Sequence, residues 1–269
     1  MTGMRLAVDA AEVYAYTGSR TWLDAQPTVL FVHGAAHDHS VWALQSRYFA
    51  HHGFNALAID LPGHGRSAGA ALATIEAIAD WLPRVLDAAN VRAAAIVGHS
   101  MGSLATLECA ARHPDRVTAI ALLGPAVPMR VSDALLNAAR ANDHVAFELI
   151  NDWSHSAAKQ LGGNRVPGMW MTGAAMRLME RSAPGVLHTD LQACHTYAVG
   201  TGLASAARVR CPALVLLGAR DAMAPEKGAQ AAIAALPDAR VVTLPDTGHA
   251  MMAEQPDAVL DALREFLRA

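Results

Sequence analysis

Ser100 stands at the centre of Gly98-His99-Ser100-Met101-Gly102, where the residue types and their spacing could create a nucleophile. The pattern G-x-S-x-G is typical of a serine at the apex of a tight turn between a strand and a helix. The flanking apolar runs, residues 93–97 and 103–107, predict that strand and that helix. Glycine at both ends lets the two backbones approach closely, and the amino end of the helix favours negative charge near the serine.

A serine hydroxyl becomes a useful nucleophile only when a base takes its proton and a third group orients that base. His249, which follows the last predicted strand, is the candidate base. Asp221, which follows the apolar run 213–218, is the candidate acid, and the chain order is then serine, acid, histidine. Asp246 is the alternative acid, but its place between a strand and a helix is typical of a turn residue.

The tetrahedral intermediate of acyl transfer carries an oxyanion, which backbone amides can stabilise without reorganising. The amide of Met101, directly after the nucleophile, is one predicted donor. The second donor is expected in the turn after the apolar strand 28–32, where His33-Gly34-Ala35 stands. We assign this role to Ala35, with Ala36 as the alternative.

Strands alternating with helices are expected to position these residues. Such alternation favours right-handed crossovers and a mostly parallel sheet that is covered on both faces. Ser40 and Thr74 are the predicted caps of two of the helices, and Pro83 is expected to kink the second helix or to mark its start. The predicted strands are 5–8 and 12–16, which form a hairpin, followed by 28–32, 54–59, 93–97, 117–123, 213–218 and 240–244.

Strand periodicity is absent between residues 125 and 210. Three helical patches, 133–142, 143–155 and 172–181, are predicted there instead. The strand pattern then returns, and Pro256 opens a closing amphipathic helix. We therefore predict one core domain formed by residues 1–124 and 211–269, with residues 125–210 inserted in it as a helical lid.

Composition limits the classes of function. The chain has 269 residues, of which 53% are hydrophobic and 17% charged, and its formal net charge is −3. It has no dense block of one charge and no apolar run long enough to span a bilayer, so neither nucleic acid nor membrane is an expected partner. Three widely spaced cysteines and the lack of an apolar signal segment favour a reducing, cytoplasmic location. Self-association stays open.

These motifs together resemble the α/β-hydrolase fold superfamily over essentially the whole chain. They are His33-Gly34, Asp60-Leu61-Pro62-Gly63-His64-Gly65-Arg66-Ser67, the pentapeptide around Ser100, Asp221 and Gly248-His249. The resemblance implies an α/β fold with a mostly parallel eight-stranded sheet flanked by helices. Lidded bacterial serine esterases are the most similar group. This implies hydrolysis of a small-molecule carboxylic ester through an acyl-enzyme, without a cofactor.

Residues that differ from those of related hydrolase groups limit the reactions that are expected. Haloalkane dehalogenases and epoxide hydrolases carry aspartate where Ser100 stands, which argues against both. Carbon–carbon bond hydrolases commonly carry tryptophan where Ala250 stands, and haloperoxidase relatives carry an aromatic residue where Ala35 stands. The same triad could also cleave a carbon–carbon bond, lactone, thioester or amide. A non-catalytic ligand-binding protein on this fold is an alternative of another class.

Methionines of the lid and of the segments beside the triad predict either ordinary core packing or an adaptable apolar pocket. Trp170, Met223 and Ala36 are the residues expected to line such a pocket. Arg165, Arg177 or Arg181 could bind a substrate carboxylate.

His33, His37 and His39 lie close together in the sequence, as metal ligands can. The carboxylate and histidine spacing of zinc hydrolases does not accompany them. We therefore predict no metal site.

Overall fold

The computed structural model describes residues 3–161, 168 and 170–268. At the centre of this part of the chain is an eight-stranded sheet with the strand order β1-β2-β4-β3-β5-β6-β7-β8. The pairs β1–β2 and β2–β4 are antiparallel and the other pairs are parallel. This is the predicted mostly parallel sheet. The strands are β1 (Gly3–Val8), β2 (Ala11–Tyr16), β3 (Thr28–Val32), β4 (Asn55–Ile59), β5 (Ala94–His99), β6 (Val117–Leu123), β7 (Ala213–Gly218) and β8 (Ala239–Leu244).

Helices cover both faces of the sheet. The described helices are α1 (Ala43–His51), α2 (Ile75–Ala88), α3 (Met101–Arg112), α4 (Asp133–Arg140), α5 (Val145–Ser154), α6 (Ala157–Gln160), α7 (Met171–Met179), α8 (Val186–Thr196), α9 (Val199–Arg208), α10 (Glu226–Ala235), α11 (Met251–Glu254) and α12 (Pro256–Leu267). Helices α2, α3, α9 and α10 pack side by side on one face, and α1 and α12 pack on the other. The central strands β3, β4, β5 and β7 are buried along their whole length, which explains their nearly continuous apolar sequences.

One of the two predicted helix caps is confirmed and the other is wrong. Thr74 caps α2 as predicted, since its hydroxyl accepts the Ala77 amide at 3.1 Å. Ser40 does not cap its helix. Asp38 directly precedes a 3-10 turn at His39–Trp42 and accepts the Ser40 amide at 2.8 Å, because a carboxylate at the cap position reaches the amide two residues further on. Pro83 lies inside α2, which runs from residue 75 to residue 88 as one helix.

All the regular secondary structure described between β6 and β7 is helical, and turns and loops connect the helices. Helices α4, α5 and α7 lie near the predicted patches, whereas α6, α8 and α9 were not predicted. Helix α9 packs on α3 and α10 beside the sheet. Helix α9 therefore belongs by its contacts to the helical layer on the sheet, although it lies within the predicted lid, residues 125–210.

Burial keeps the cysteine thiols protonated. Cys109 and Cys194 are buried, Cys211 is half-buried, and all three are free. Burial raises the pKa of the Cys109 thiol to about 12 and that of Cys211 to about 11. Such thiols stay protonated and behave as small apolar groups.

Within the described residues, no helix combines the length and the apolar character that crossing a membrane requires.

Candidate active site

Ser100 occupies the sharp turn between β5 and α3. Its backbone has a strained positive φ, with φ 54° and ψ −119°, and its amide donates to the Leu123 carbonyl at 2.9 Å. A Cβ at Gly98 would collide with the Gly102 carbonyl, and one at Gly102 would lie 2.5 Å from the Val32 carbonyl oxygen. The turn therefore requires both glycines, and it presents Ser100 to a cavity of about 620 Å³.

Asp221 and His249 form a buried pair at the carboxyl edge of the sheet. Asp221 Oδ2 lies 2.7 Å from His249 Nδ1, and Asp221 Oδ1 accepts the amides of Met223 at 2.9 Å and Ala224 at 2.7 Å. A carboxylate can only accept here, so Nδ1 carries the hydrogen and Nε2 is left to act as a base. His249 and Ser100 line the same cavity. Asp246 instead occupies an exposed turn at φ 51°, 3.8 Å from Arg220.

Two residues that the sequence did not single out also contact His249. The His99 side chain lies 2.9 Å from the His249 carbonyl oxygen through Nε2, and the two rings are 4.7 Å apart. Gly124 follows β6 at φ 58°, and a Cβ there would lie 2.9 Å from His249 Cε1. A glycine directly after a parallel strand is the feature that could have drawn attention to this position.

The loop after β3 lies directly against the nucleophile, since a Cβ at Gly34 would be 3.1 Å from the Ser100 Cβ. The amide of Ala36 donates to Asp190 Oδ2 at 2.8 Å, and that of His37 donates to the Gly34 carbonyl at 3.3 Å. No hydrogen bond among the described residues uses the amide of Ala35. The Ala35 amide thus lies beside the cavity without a described partner, whereas the amide of the alternative, Ala36, is already bonded.

Met101 is the first residue of α3, and it follows Ser100 directly. Amides in the first turn of a helix have no partner within the helix. The Met101 amide, which is the other predicted donor, therefore has no partner within α3.

A cavity of about 620 Å³ opens in front of Ser100 and His249. Core loops form its floor, and α4, α5, α7 and α8 contribute to its walls. Apolar side chains predominate among the lining residues, and methionines come from both the lid and the core: Met129, Met171, Met179, Met223 and Met252. The structure thus places an apolar, methionine-rich space beside the candidate nucleophile.

Only one of the three predicted pocket residues lines the cavity. Met223 lines the cavity, but Ala36 and Trp170 do not. Ala36 is buried among lid side chains. Trp170 is 71% exposed and precedes α7, where its ring lies against Gly173. Trp153 of α5 is the lid tryptophan that lines the cavity instead.

Arginines line the lid side of the cavity. Arg177 pairs with Glu180 at 2.7 Å, and Arg181 lies 3.9 Å from Asp38. Arg130 also lines the cavity and was not predicted. Arg165 lies outside the described residues.

The three neighbouring histidines have separate protein partners. His33 Nε2 accepts the Leu61 amide at 3.1 Å, His37 Nδ1 donates to the Ala35 carbonyl at 2.6 Å, and His39 Nδ1 lies 2.7 Å from Asp60. Burial and the neighbouring His64 hold the pKa of His33 well below its usual value. These side chains shape the loops beside the cavity.

Residues 27–256 match a family described as having the alpha/beta hydrolase fold. A pimeloyl-[acyl-carrier protein] methyl ester esterase of Aromatoleum aromaticum is 29% identical over 258 residues, which cover 90% of this chain and 99% of that protein. An (E)-2-((N-methylformamido)methylene)succinate hydrolase of Acinetobacter baylyi is 27% identical over 254 residues, or 91% of each chain. An esterase from Exiguobacterium antarcticum superposes over the full length of both chains with a TM-score of 0.85 and 14% identity.

Proposed function

The chain belongs to the α/β-hydrolase fold family, and we propose that it is a serine hydrolase that cleaves carboxylic esters. The observation that carries this proposal is the Asp221–His249 pair, fixed at 2.7 Å, whose histidine lines the cavity into which the strained turn presents Ser100. The similarity to an esterase over 99% of that relative's length supports the choice of bond. The substrate is a small-molecule ester, and no cofactor takes part.

The proposed reaction has two halves. Ser100 Oγ attacks the ester carbonyl while His249 Nε2 takes its proton, and the amides of Ala35 and Met101 stabilise the oxyanion. Asp221 stabilises the imidazolium that forms. His249 then returns the proton to the alcohol oxygen as the carbon–oxygen bond breaks. A water molecule, deprotonated by His249, attacks the acyl-enzyme, and the carboxylic acid leaves as Ser100 regains its proton.

The cavity supports esters with an apolar body of moderate size. A volume of about 620 Å³ lies within the usual range of small-molecule sites. Methionine and leucine side chains adapt to acyl groups of different shape. We therefore expect turnover to rise from acetyl to medium-chain esters and to fall again once the chain exceeds the cavity.

A panel of p-nitrophenyl esters with two to twelve acyl carbons tests this function, measured beside a lactone, a thioester, an amide and a dienoic carbon–carbon substrate. We expect the esters to give the highest kcat/KM, and Ser100→Ala to lower kcat at least about 10⁴-fold. Faster turnover of the lactone, thioester, amide or carbon–carbon substrate would show that the enzyme cleaves that bond in preference to a carboxylic ester. Saturable binding without turnover of any compound would favour a ligand-binding protein.

A further inference from the structure

The Ala35–Ala36 segment is held in a costly conformation. Ala36 has φ 53°, in the left-handed region that an alanine avoids by roughly 1–2 kcal/mol. Its amide donates to Asp190 at 2.8 Å, and its carbonyl accepts from Ser182 Oγ at 3.3 Å. The Ala35 carbonyl is fixed by His37 at 2.6 Å. Both sides of the peptide after Ala35 are therefore anchored, and this sets the direction of the free Ala35 amide.

The anchor of the Ala36 amide comes from the lid. Asp190 lies on α8, is 1% exposed, and is 154 positions from Ala36 in the chain. The same Oδ2 oxygen lies 2.8 Å from His64 Nε2, in the core loop that follows β4. One buried carboxylate thus joins a lid helix to two core loops.

The geometry makes His64 the cation of this pair. Its Nδ1 lies 3.0 Å from the Pro62 carbonyl oxygen and its Nε2 lies 2.8 Å from Asp190, so both ring nitrogens face acceptors. Only an imidazolium donates from both nitrogens. Burial opposes this charge, but Asp190, the Pro62 carbonyl and Asp60 together outweigh it and raise the pKa of His64. A buried carboxylate with such a partner is a strong, oriented acceptor.

We propose that Asp190 is a positioning residue of the oxyanion hole, which holds Ala36 in its left-handed conformation so that the Ala35 amide points at the developing oxyanion. This inference rests on the proposed function. It makes α8 a supporting part of the catalytic site, and a substrate that displaced α8 would also misalign the oxyanion donor. Neither Ser100 nor His249 contacts Asp190 among the described interactions, so the effect is specific to the oxyanion.

Kinetics of Asp190 variants test the proposal. We expect Asp190→Ala to lower kcat about 100-fold, as loss of one oxyanion donor does, while KM changes less than about threefold. Asp190→Asn keeps an acceptor for the Ala36 amide and should lower kcat only about tenfold. A trifluoromethyl ketone, which forms a tetrahedral oxyanion adduct, should bind each variant more weakly by the same factor as kcat/KM falls.

Asp152→Asn is the matched control, because Asp152 is an exposed carboxylate of the lid helix α5. It should keep kcat and ketone affinity within twofold. The proposal is overturned if Asp190→Ala, shown to be folded by its melting curve, keeps kcat within twofold, or if KM rises while ketone affinity is unchanged. If Asp190→Ala does not fold, the near-isosteric Asp190→Asn decides by the same two criteria.

The wild-type protein separates this inference from the function on which it rests. A wild type that turns over no ester contradicts the proposed function, and the inference with it. A wild type that turns over esters, beside Asp190 variants with undiminished kcat, contradicts the role of Asp190 alone.

Discussion

At the scale of single residues, His249 is fixed from three sides. Asp221 bonds its Nδ1, His99 approaches its backbone carbonyl, and Gly124 leaves room for the edge of its ring. A general base must be held within a few tenths of an ångström of the proton that it removes. The precision of this site therefore depends on residues that themselves perform no chemistry.

Gly124→Ala tests this packing. The new Cβ would lie 2.9 Å from His249 Cε1 and 3.4 Å from Asp221 Oδ2, so we expect kcat/KM to fall about 100-fold as the ring is displaced. Gly53→Ala is the control, because Gly53 also has a positive φ but has nothing within 4 Å of its added Cβ. Both variants should lose about 1 kcal/mol of stability, and equal activities would contradict the argument.

Buried neutral histidines predict acid sensitivity. Burial and the nearby His249 hold the pKa of His99 well below 6.5, and burial with His64 does the same for His33. The unfolded chain binds protons at these residues below about pH 6.5 and the folded chain does not. Their stabilisation is therefore complete above that pH and is lost as the pH falls.

Melting temperatures between pH 7.5 and pH 5 measure this effect. We expect the wild-type melting temperature to fall towards pH 5, and the fall to be shallower in His99→Gln, which cannot titrate. Parallel curves for the two proteins would show that His99 contributes no proton linkage.

Ser100, Asp221 and His249 could be proposed from the sequence because each lies in a short motif at a strand end. The importance of His99 and Asp190 could not, since it arises from contacts between distant parts of the chain, and for Gly124 the only sequence signal is its place directly after a strand. The His99 contact, for example, joins positions 150 apart. The same limit affected Trp170 and Trp153, because residue type alone did not indicate which of them faces the cavity.

At the scale of elements, Glu254 connects the lid to the loop that carries His249. This fully buried carboxylate of α11 accepts the amide and hydroxyl of Ser156, at 3.1 and 2.7 Å, and the amide of Gly248 at 3.1 Å. The Ala250 amide also donates to the Ser154 carbonyl at 2.8 Å. The end of α5 and the His249 loop are thus one hydrogen-bonded unit.

Glu254→Ala is expected to loosen that unit. Two buried amides would lose their acceptor, so the free energy of unfolding should fall by about 2–4 kcal/mol, and kcat/KM should fall at least tenfold. Urea unfolding and ester turnover measure the two effects. Glu265→Ala removes an exposed carboxylate from α12, where its pair with Arg240 contributes little, and should change neither. A Glu254→Ala protein as stable and active as Glu265→Ala would refute the connection.

The sheet could be predicted in outline and the lid only in part. The central strands β3, β4, β5 and β7 have short, nearly continuous apolar sequences because both faces of the sheet are covered there, and all eight strands were recognised. Helices α8 and α9 were missed. Asp190 interrupts the apolar face of α8 for its buried bond to the core, and glycines at 200 and 202 weaken the helical pattern of α9.

At the scale of the whole molecule, the charged residues that line the cavity in the described part of the chain are all cationic. Of the described residues that line it, Arg130, Arg177 and Arg181 are cationic and none is aspartate or glutamate. Arg177 and Arg181 have carboxylates nearby, whereas no described ion pair involves Arg130. The field in such a cleft favours an anionic ligand, and the effect weakens with salt.

Ethyl hydrogen suberate and ethyl octanoate compare an anionic with a neutral ester of the same length. We expect the anionic ester to have the higher kcat/KM, by about tenfold at low salt and less at 0.5 M salt, where the Debye length is only about 4 Å. Arg130→Gln should reduce the difference between the two esters. Equal kcat/KM values for both esters at low salt would exclude anion recognition without affecting the proposed chemistry.

The central claim is that Ser100 is a nucleophile activated by its surroundings, and covalent labelling by a fluorophosphonate followed by peptide mass spectrometry tests it most directly. Folded wild-type protein should carry one label, on Ser100, and Ser100→Ala should carry none. Ser40→Ala, which alters another serine that lines the cavity, should be labelled like the wild type. Undiminished labelling of Ser100→Ala, or an unlabelled folded wild type, would contradict the account.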